Sequence, residues 1–526
     1  MAGRRAVPLQ LVIPLVVVAA CVLLPLLYLV ARAVGAGPEP WRSVLRPRTF
    51  HVLARTVLLG ATVTGASVVI SLPLAWLVTR TDLPFRRSLS VLAALPLAVP
   101  SYVAGSVVVS ALGPRGMLQG VLERLFGVAR LPQIYGFPGA TLTVVLVSYP
   151  LLFLNIQASL RRVSPSLEEA SRSLGRGSWR TFLGVVLPQL RPAISSGALL
   201  VALYALSDFG AVSLLRYETF TWSIYLQYQT AFDRSTAAVF CLILVALALL
   251  ILFLEARTRS AGPPPFGAPS GGGRPPTVVK LGRWRWPALL FCVAVVLVAL
   301  AMPAGVLAYW LVRGMLRGET VGLPGGSALG SMYASSLAAA VVLLLAVPVA
   351  LYTARYPGKV STLLEQAAYL GYSLPGITVA LALVFFGVRA VPWAYQSMGF
   401  LVFAYLIRFL PQAVGACRAA LLKINRHLEE AARSLGQPPR RVLATVLLPL
   451  MRQGLLAGAA LVFFSTMKEL PVTLILSPVG FRTLATAIWS ASSEAFFARA
   501  AAPSLLLILI SAVPLVLFTL RGEHGA

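Results

Sequence analysis

The chain has 526 residues, 58% of them hydrophobic and only 11% charged, with a mean hydropathy of +0.85. Such a composition excludes an ordinary soluble domain and places the chain among polytopic membrane proteins. The formal net charge of +28 does not point to nucleic acid, because the 44 Lys and Arg lie mostly in short loops beside apolar runs, where lipid headgroups and insertion orientation account for them.

About 20 apolar residues span the hydrocarbon core as a helix. Twelve segments qualify in chain order: 9–34, 54–79, 88–112, 138–160, 192–215, 236–255, 287–312, 333–354, 363–388, 399–420, 454–477 and 501–520. The first follows Arg4-Arg5 like a signal sequence, but it is long enough to span and lacks a small-residue cleavage site, so it reads as a membrane helix. Lipid offers the backbone no hydrogen-bond partners and no ten-residue alternation suggests a barrel, so the expected fold is all-α with 12 transmembrane helices.

Between the sixth and seventh segments, residues 261–276 are rich in Gly and Pro and read as a linker. It divides the chain into a first half, 1–256, a linker region, 257–286, and a second half, 287–526. The halves are copies. Pro73 to Arg80 matches Pro348 to Arg355 and Pro100 matches Pro375, both at an offset of 275. From the polar octet Glu168 to Gly175, matched by Glu429 to Gly436, the offset is 261. An even number of spans per half gives both the same orientation, with a symmetry axis along the membrane normal. Basic residues favour a cytoplasmic N-terminus, which also puts the C-terminus, both octets and the linker inside the cell. The loop carrying Arg32, Arg42, Arg46, Arg48 and Arg55 runs against that bias.

Cys21, Cys241, Cys292 and Cys417 lie in apolar runs without metal-ligand spacing, and His51, His427 and His524 are scattered, so neither a disulfide framework nor a metal site is expected.

Each octet reads as a short amphipathic helix. Ser164 and Asn425 are placed as N-caps, and Pro165 suits the first helical position. Leu167, Ala170 and Leu174 share a face, as do Leu428, Ala431 and Leu435. Glu168 with Arg172 and Glu429 with Arg433 form i,i+4 pairs. Gly175 and Gly436 fit a left-handed helix end, after which Ser178 or Pro438-Pro439 begins a second helix that runs to Leu187-Pro188 or Leu448-Pro449. A helix pair lying on the lipid surface would also be amphipathic, but lipid does not ask for the same caps and small residues twice.

Glu-Ala-Ala, then Gly four residues after the last Ala, then Leu-Pro resembles the EAA loop of binding-protein-dependent ABC importer permeases. The second copy has it as Glu430, Ala431, Ala432, Gly436 and Leu448-Pro449; the first has Glu169, Ala170, Ser171 and Gly175, with Ser in the third position. The loops span about 161–190 and 422–451. The resemblance implies a type I ABC importer transmembrane domain in the bacterial plasma membrane. It also implies that these residues couple to two copies of a cytoplasmic ABC ATPase, and that an extracytoplasmic binding protein delivers the substrate. The chain has no G-x-x-x-x-G-K-[ST], so ATP and Mg are expected on the partner ATPase, with no cofactor on this chain and no catalysis by it. ATP-driven closure of the ATPases would then bias two packings of the halves.

Asp208 in the fifth segment and Glu469 in the eleventh share the 261 offset, and Lys468 precedes the latter; Arg408 also falls within a span. A charge near the bilayer centre costs about 2.5–3.5 kcal/mol on insertion scales, so Asp208, Lys468 and Glu469 are candidates for the translocation path or its gate, with Lys468 facing Asp208 across the pseudo-twofold. In the competing reading Gly210 and Pro471 break both helices near the outer surface, and the acids lie among headgroups or cap helix ends. The stretches from Ser207 to Val212, Thr219 to Thr221, Lys468 to Thr473 and Phe481 to Thr486 are similar to those of fused ferric-iron permeases, which implies Fe(III) as cargo. Thiamine, phosphonate and polyamine permeases are the alternatives within the family. A major facilitator type secondary transporter fits the span count but leaves the paired octets unexplained.

Overall fold

A computed structural model describes residues 9–524 apart from 115, 128–131, 164, 230–232, 261–277, 320–323, 357, 359–360, 362–370 and 372–373. The fold is all-α: the described residues form helices joined by short turns, with one isolated β-bridge between Thr81 and Val279.

Among the described residues, ten helices are long and apolar enough to cross a membrane, or eleven if the bent pair Arg86–Ala98 and Ser101–Phe126 counts as one. The sequence suggested twelve. The expected third span, 88–112, is this pair, which bends by 95° at Val99-Pro100. Pro100 forces the residue before it out of the helical region, and Val99 accordingly sits at φ −81°, ψ 118°. Of the expected ninth span, 363–388, residues 363–370 and 372–373 lie outside the described residues, and the helix described there is Gly376–Ala390, 15 residues.

The fifth and eleventh spans are displaced from where hydropathy put them. Trp179–Ser207 and Pro439–Met467 begin well before the apolar runs at 192 and 454. The second helix expected after each octet is the start of the membrane rod itself; Arg191 and Arg452 interrupt the apolar pattern without interrupting the helix. Each rod passes through a π-helical turn, Phe182–Val186 or Leu443–Leu447, that ends one residue before Leu-Pro. The same feature recurs at Leu297–Ala301, before Met302-Pro303. Proline lacks the N–H for an i−4 bond and its ring crowds that carbonyl, and a widened turn in front of it relieves both problems.

By packing, the chain forms two compact units that cut across the sequence halves. One contains Met1–Val44, Ile224–Val245 and Leu323–Ala487; the other contains Leu45–Ser223, Ala246–Gly322 and Ile488–Ala526. In the first, Gly325–Arg355, Met398–Leu422 and Leu448–Met467 pack on one another around Ala350, Cys417, Leu421, Leu447 and Met451. Leu9–Val34 joins them, with the Tyr28 hydroxyl donating to the Phe385 carbonyl at 3.0 Å. In the second, Pro47–Arg80, Phe137–Leu160 and Leu187–Ser207 pack around Tyr149, Leu152, Phe153 and Ile156, and Met302–Leu316 pairs with Phe497–His524. Each unit thus combines the central helices of one repeat with outer helices of the other. The four cysteines are free.

Candidate functional site

Both octets are helices, Pro165–Ser173 and Arg426–Ser434. Asn425 caps the second, its side chain accepting from His427 N–H at 3.0 Å; Ser164 lies outside the described residues. Both helices end alike. Gly175 and Gly436 have φ of 79° and 77°, the left-handed conformation that glycine alone adopts without steric cost. The N–H of Arg176 bonds back to Ser171 O and that of Gly175 to Arg172 O, at 3.2 and 2.9 Å; Gln437 to Ala432 and Gly436 to Arg433 repeat the two bonds at 3.2 and 2.9 Å. This double closure satisfies the last carbonyls and turns the chain sharply into the rod.

The octet helices are amphipathic in an unusual sense, because the acid is buried and the leucines are outside. Glu168 and Glu429 are 5% and 4% exposed, whereas Leu174 and Leu435 are each 81% exposed. Leu167, Ala170, Leu428 and Ala431 share the open face. Glu169 is exposed; Glu430 is half-buried, near Arg426 and His427 at 3.5 and 3.2 Å. The third position differs between copies for a visible reason. Ser171 is buried with its hydroxyl 3.0 Å from that of Thr181, while the equivalent positions in the second copy are Ala432 and Val442. A polar pair in one repeat is replaced by an apolar pair in the other.

The buried acids meet arginines from outside the octet. Arg80 lies 3.2 Å from Glu168, and Arg355 lies 2.5 Å from Glu429, with Arg433 at 4.0 Å on the acid's other oxygen. In the sequence both arginines stand out only as repeat matches. The signal was present, but arginine and acid recur at different offsets, 275 and 261, which hides the pair from either alignment taken singly.

The intramembrane acids sit at helix breaks. Leu187–Ser207 stops at Asp208 and a new helix, Gly210–Leu214, follows; Asp208 accepts from Ala211 N–H at 3.0 Å, from Val212 N–H at 3.3 Å, and from the Ser101 hydroxyl. Leu448–Met467 stops likewise, Pro471–Leu476 follows, and Glu469 accepts from Val472 N–H at 3.4 Å. The helix-end reading of these acids therefore describes their geometry. Glu469 also has Arg408 at 3.6 Å, and Gly376 is adjacent to both side chains. Lys468 is half-buried. In each repeat two interrupted helices pack together near their breaks, Ser101–Leu112 against Gly210–Leu214 and Gly376–Ala390 against Pro471–Leu476. Discontinuous helices of this kind form the substrate sites of many transporters.

Arginines of the first loop, which ran against the charge bias, carry local acids: Arg48 and Arg55 both reach Glu218, at 2.8 and 3.4 Å, and Arg42 lies 3.7 Å from Glu39. Among the described residues no group of three or more His, Cys, Asp or Glu is arranged to hold a metal ion.

Membrane-length helices, with a short octet helix closed by a left-handed glycine in each repeat, are the build of a polytopic helical membrane protein. The sequence pattern of the binding-protein-dependent transport system inner membrane component matches residues 67–258 and 343–521, and the chain belongs to that family. It is a multi-pass inner-membrane permease of an ABC importer with two permease halves, and its system includes an ATPase and a binding protein. It is 32% identical over 523 residues to the Fe(3+)-transport system permease protein FbpB 2 of Haemophilus influenzae, covering 98% of each chain. It is 25% identical to the ferric transport system permease protein FbpB of Actinobacillus pleuropneumoniae, over 89% of this chain and 70% of the relative. The molybdenum transport system permease protein ModB of Escherichia coli is 34% identical over 38% of this chain and 91% of its own length.

Proposed function

We propose that this chain imports ferric iron, that its octet helices are the coupling helices for two copies of a cytoplasmic ATPase, and that both termini are cytoplasmic. The observation that carries the coupling assignment is the exposed apolar face in both repeats: Leu174 and Leu435 at 81% exposure beside left-handed glycines. Each is a projecting knob on a rigid turn, and small neighbours, Ala170 and Ala431, allow a partner's backbone to approach closely. In this reading Glu169, Ala170, Ser171, Gly175, Glu430, Ala431, Ala432 and Gly436 form the coupling surfaces, while ATP and Mg are bound by the partner.

Full-length similarity to a ferric permease supports the cargo; the half-length match to a molybdenum permease supports the shared build of one repeat. The two six-helix repeats are read as parallel, related by an axis along the membrane normal. Asp208 and Glu469 fix the breaks in the fifth and eleventh spans, and with Lys468 they border the path at these breaks, where no iron ligands are assigned. The test is reconstitution with the ATPase and the binding protein. Ferric iron should be taken up and thiamine should not, and Gly436→Pro should lose the co-purifying ATPase. Thiamine uptake would overturn the cargo, and an unaltered complex with Gly436→Pro would overturn the docking site.

A further inference from the structure

One arginine in each repeat ties three segments together. Arg80 is the last residue of Pro47–Arg80, and its Nη2 donates to the carbonyls of Leu160 and Val163 at 2.8 and 3.1 Å, just where Phe137–Leu160 runs out of helical partners. The other terminal nitrogen lies 3.2 Å from Glu168 in the first turn of the octet helix. Arg355 ends Gly325–Arg355 and reaches the equivalent groups through one terminal nitrogen: its Nη2 donates to the Leu421 and Ile424 carbonyls at 3.5 and 3.4 Å and meets Glu429. The fork of an arginine can serve carbonyls and a carboxylate at once, which a lysine ammonium cannot do with the same geometry. Arg80 and both acids are buried and the Arg355 side chain is 11% exposed, so these are not ordinary surface salt bridges of small consequence.

In the first repeat the main chain of the same residue is also held. Val279, in the last part of the linker region, donates to Arg80 O at 2.8 Å and accepts from Asp82 N–H at 3.2 Å, and the Asp82 carboxylate accepts from Leu281 N–H at 2.9 Å. The second repeat has Tyr356 and Pro357 at the positions of Thr81 and Asp82, and proline cannot offer the N–H.

We propose that Arg80 and Arg355 are positioning residues for energy coupling. Each fastens its octet helix to the cytoplasmic end of the long helix that precedes the first break of its repeat, so a push on the octet helix moves that helix directly. Without the arginine the push would reach the long helix only by way of the octet helix's other neighbours, the short stretch back to Phe137–Leu160 and the start of the rod, where Ser171 meets Thr181 in the first repeat. The proposal rests on the coupling-helix reading above, and the paired arrangement carries it: in both repeats, segments 66 or more residues apart in sequence bring the same arginine, the same pair of carbonyls and the same acid together.

The test uses the full-length chain in lipid nanodiscs, its native cysteines replaced, with nitroxides at Ser173 and Ser88, both exposed and in one compact unit. The unaltered pair should give a single narrow distance distribution. Arg80→Gln should broaden it, and Arg80→Lys should do so partially. Arg80→Met with Glu168→Met should recover folded yield, because an apolar pair can replace a buried ion pair, yet leave the distribution broad. In the reconstituted complex Arg80→Gln should lower ferric ion transported per ATP hydrolysed by roughly tenfold, within the usual range of inter-site coupling. A narrow distribution in Arg80→Gln or in the double Met variant would overturn the proposal, as would an unchanged transport ratio. If the unaltered complex takes up no iron, the cargo reading fails and the distance experiment still decides this one.

Discussion

The two repeats break the same helix at the same place and neutralise the resulting acid differently. In the first, Asp208 is held by two backbone N–H groups and the Ser101 hydroxyl. In the second, position 376 is glycine where the first repeat has Ser101, and the space admits the guanidinium of Arg408 beside Glu469. The residue matching Arg408 in the first repeat is Val147. The break is thus a property of the fold, set by Asp208-Phe209-Gly210 and Glu469-Leu470-Pro471, while the charge balance was solved separately in each copy. One repeat uses neutral donors and the other an ion pair.

Four perturbations test that contrast as two matched pairs, one member in each repeat, the pair with the larger expected effect first. Arg408→Met leaves Glu469 buried without its cation and should cost about 3–5 kcal/mol in thermal or denaturant unfolding of the detergent-solubilised protein. Asp208→Asn should cost about 1 kcal/mol or less, since asparagine caps a helix nearly as well as aspartate. Equal losses in the two variants would show that the repeats do not differ as described. Gly376→Ala sets a methyl against Arg408 and Glu469 and should cost about 1–3 kcal/mol by overpacking, against about 1 kcal/mol for the hydrogen bond lost in Ser101→Ala.

At the octets, Ser171→Ala alone strands the Thr181 hydroxyl and should cost about 1 kcal/mol. Ser171→Ala with Thr181→Val rebuilds the pair found in the second repeat and should return close to wild type; a double-mutant cycle with no coupling would contradict the pairing. Smallest of all should be the effect of cutting the chain at a protease site inserted in the linker near residue 268. Because each compact unit draws helices from both sequence halves, the two fragments should stay together through purification in mild detergent. Their separation would show that the linker, not packing, joins them.

What sequence reading recovered follows from what local chemistry encodes. The octet helices, the Asn425 cap, the left-handed glycines and the helix breaks all depend on residues within a few positions of one another. The acids were legible as a matched pair, and their role as helix caps was among the readings that Gly210 and Pro471 suggested. The Arg80 and Arg355 pairs were not recovered, because ion pairing across a fold leaves no local pattern. Arg408 could not have been assigned from the repeat, having no counterpart there. Hydropathy misplaced the start of the fifth and eleventh spans because it registers Arg191 and Arg452 as interruptions, whereas a helix with its hydrogen bonds intact continues through them.

The most direct test of the central claim, that the exposed apolar faces of the octet helices seat a separate ATPase, is photocrosslinking from benzoylphenylalanine placed at Leu174, at Leu435 and, as a control, at Val479, which is 88% exposed. Both leucine positions should yield an adduct with a polypeptide carrying a phosphate-binding loop, and Val479 should yield none. An ATPase adduct from Val479, or its absence from both leucines in a complex that still hydrolyses ATP, would contradict the account.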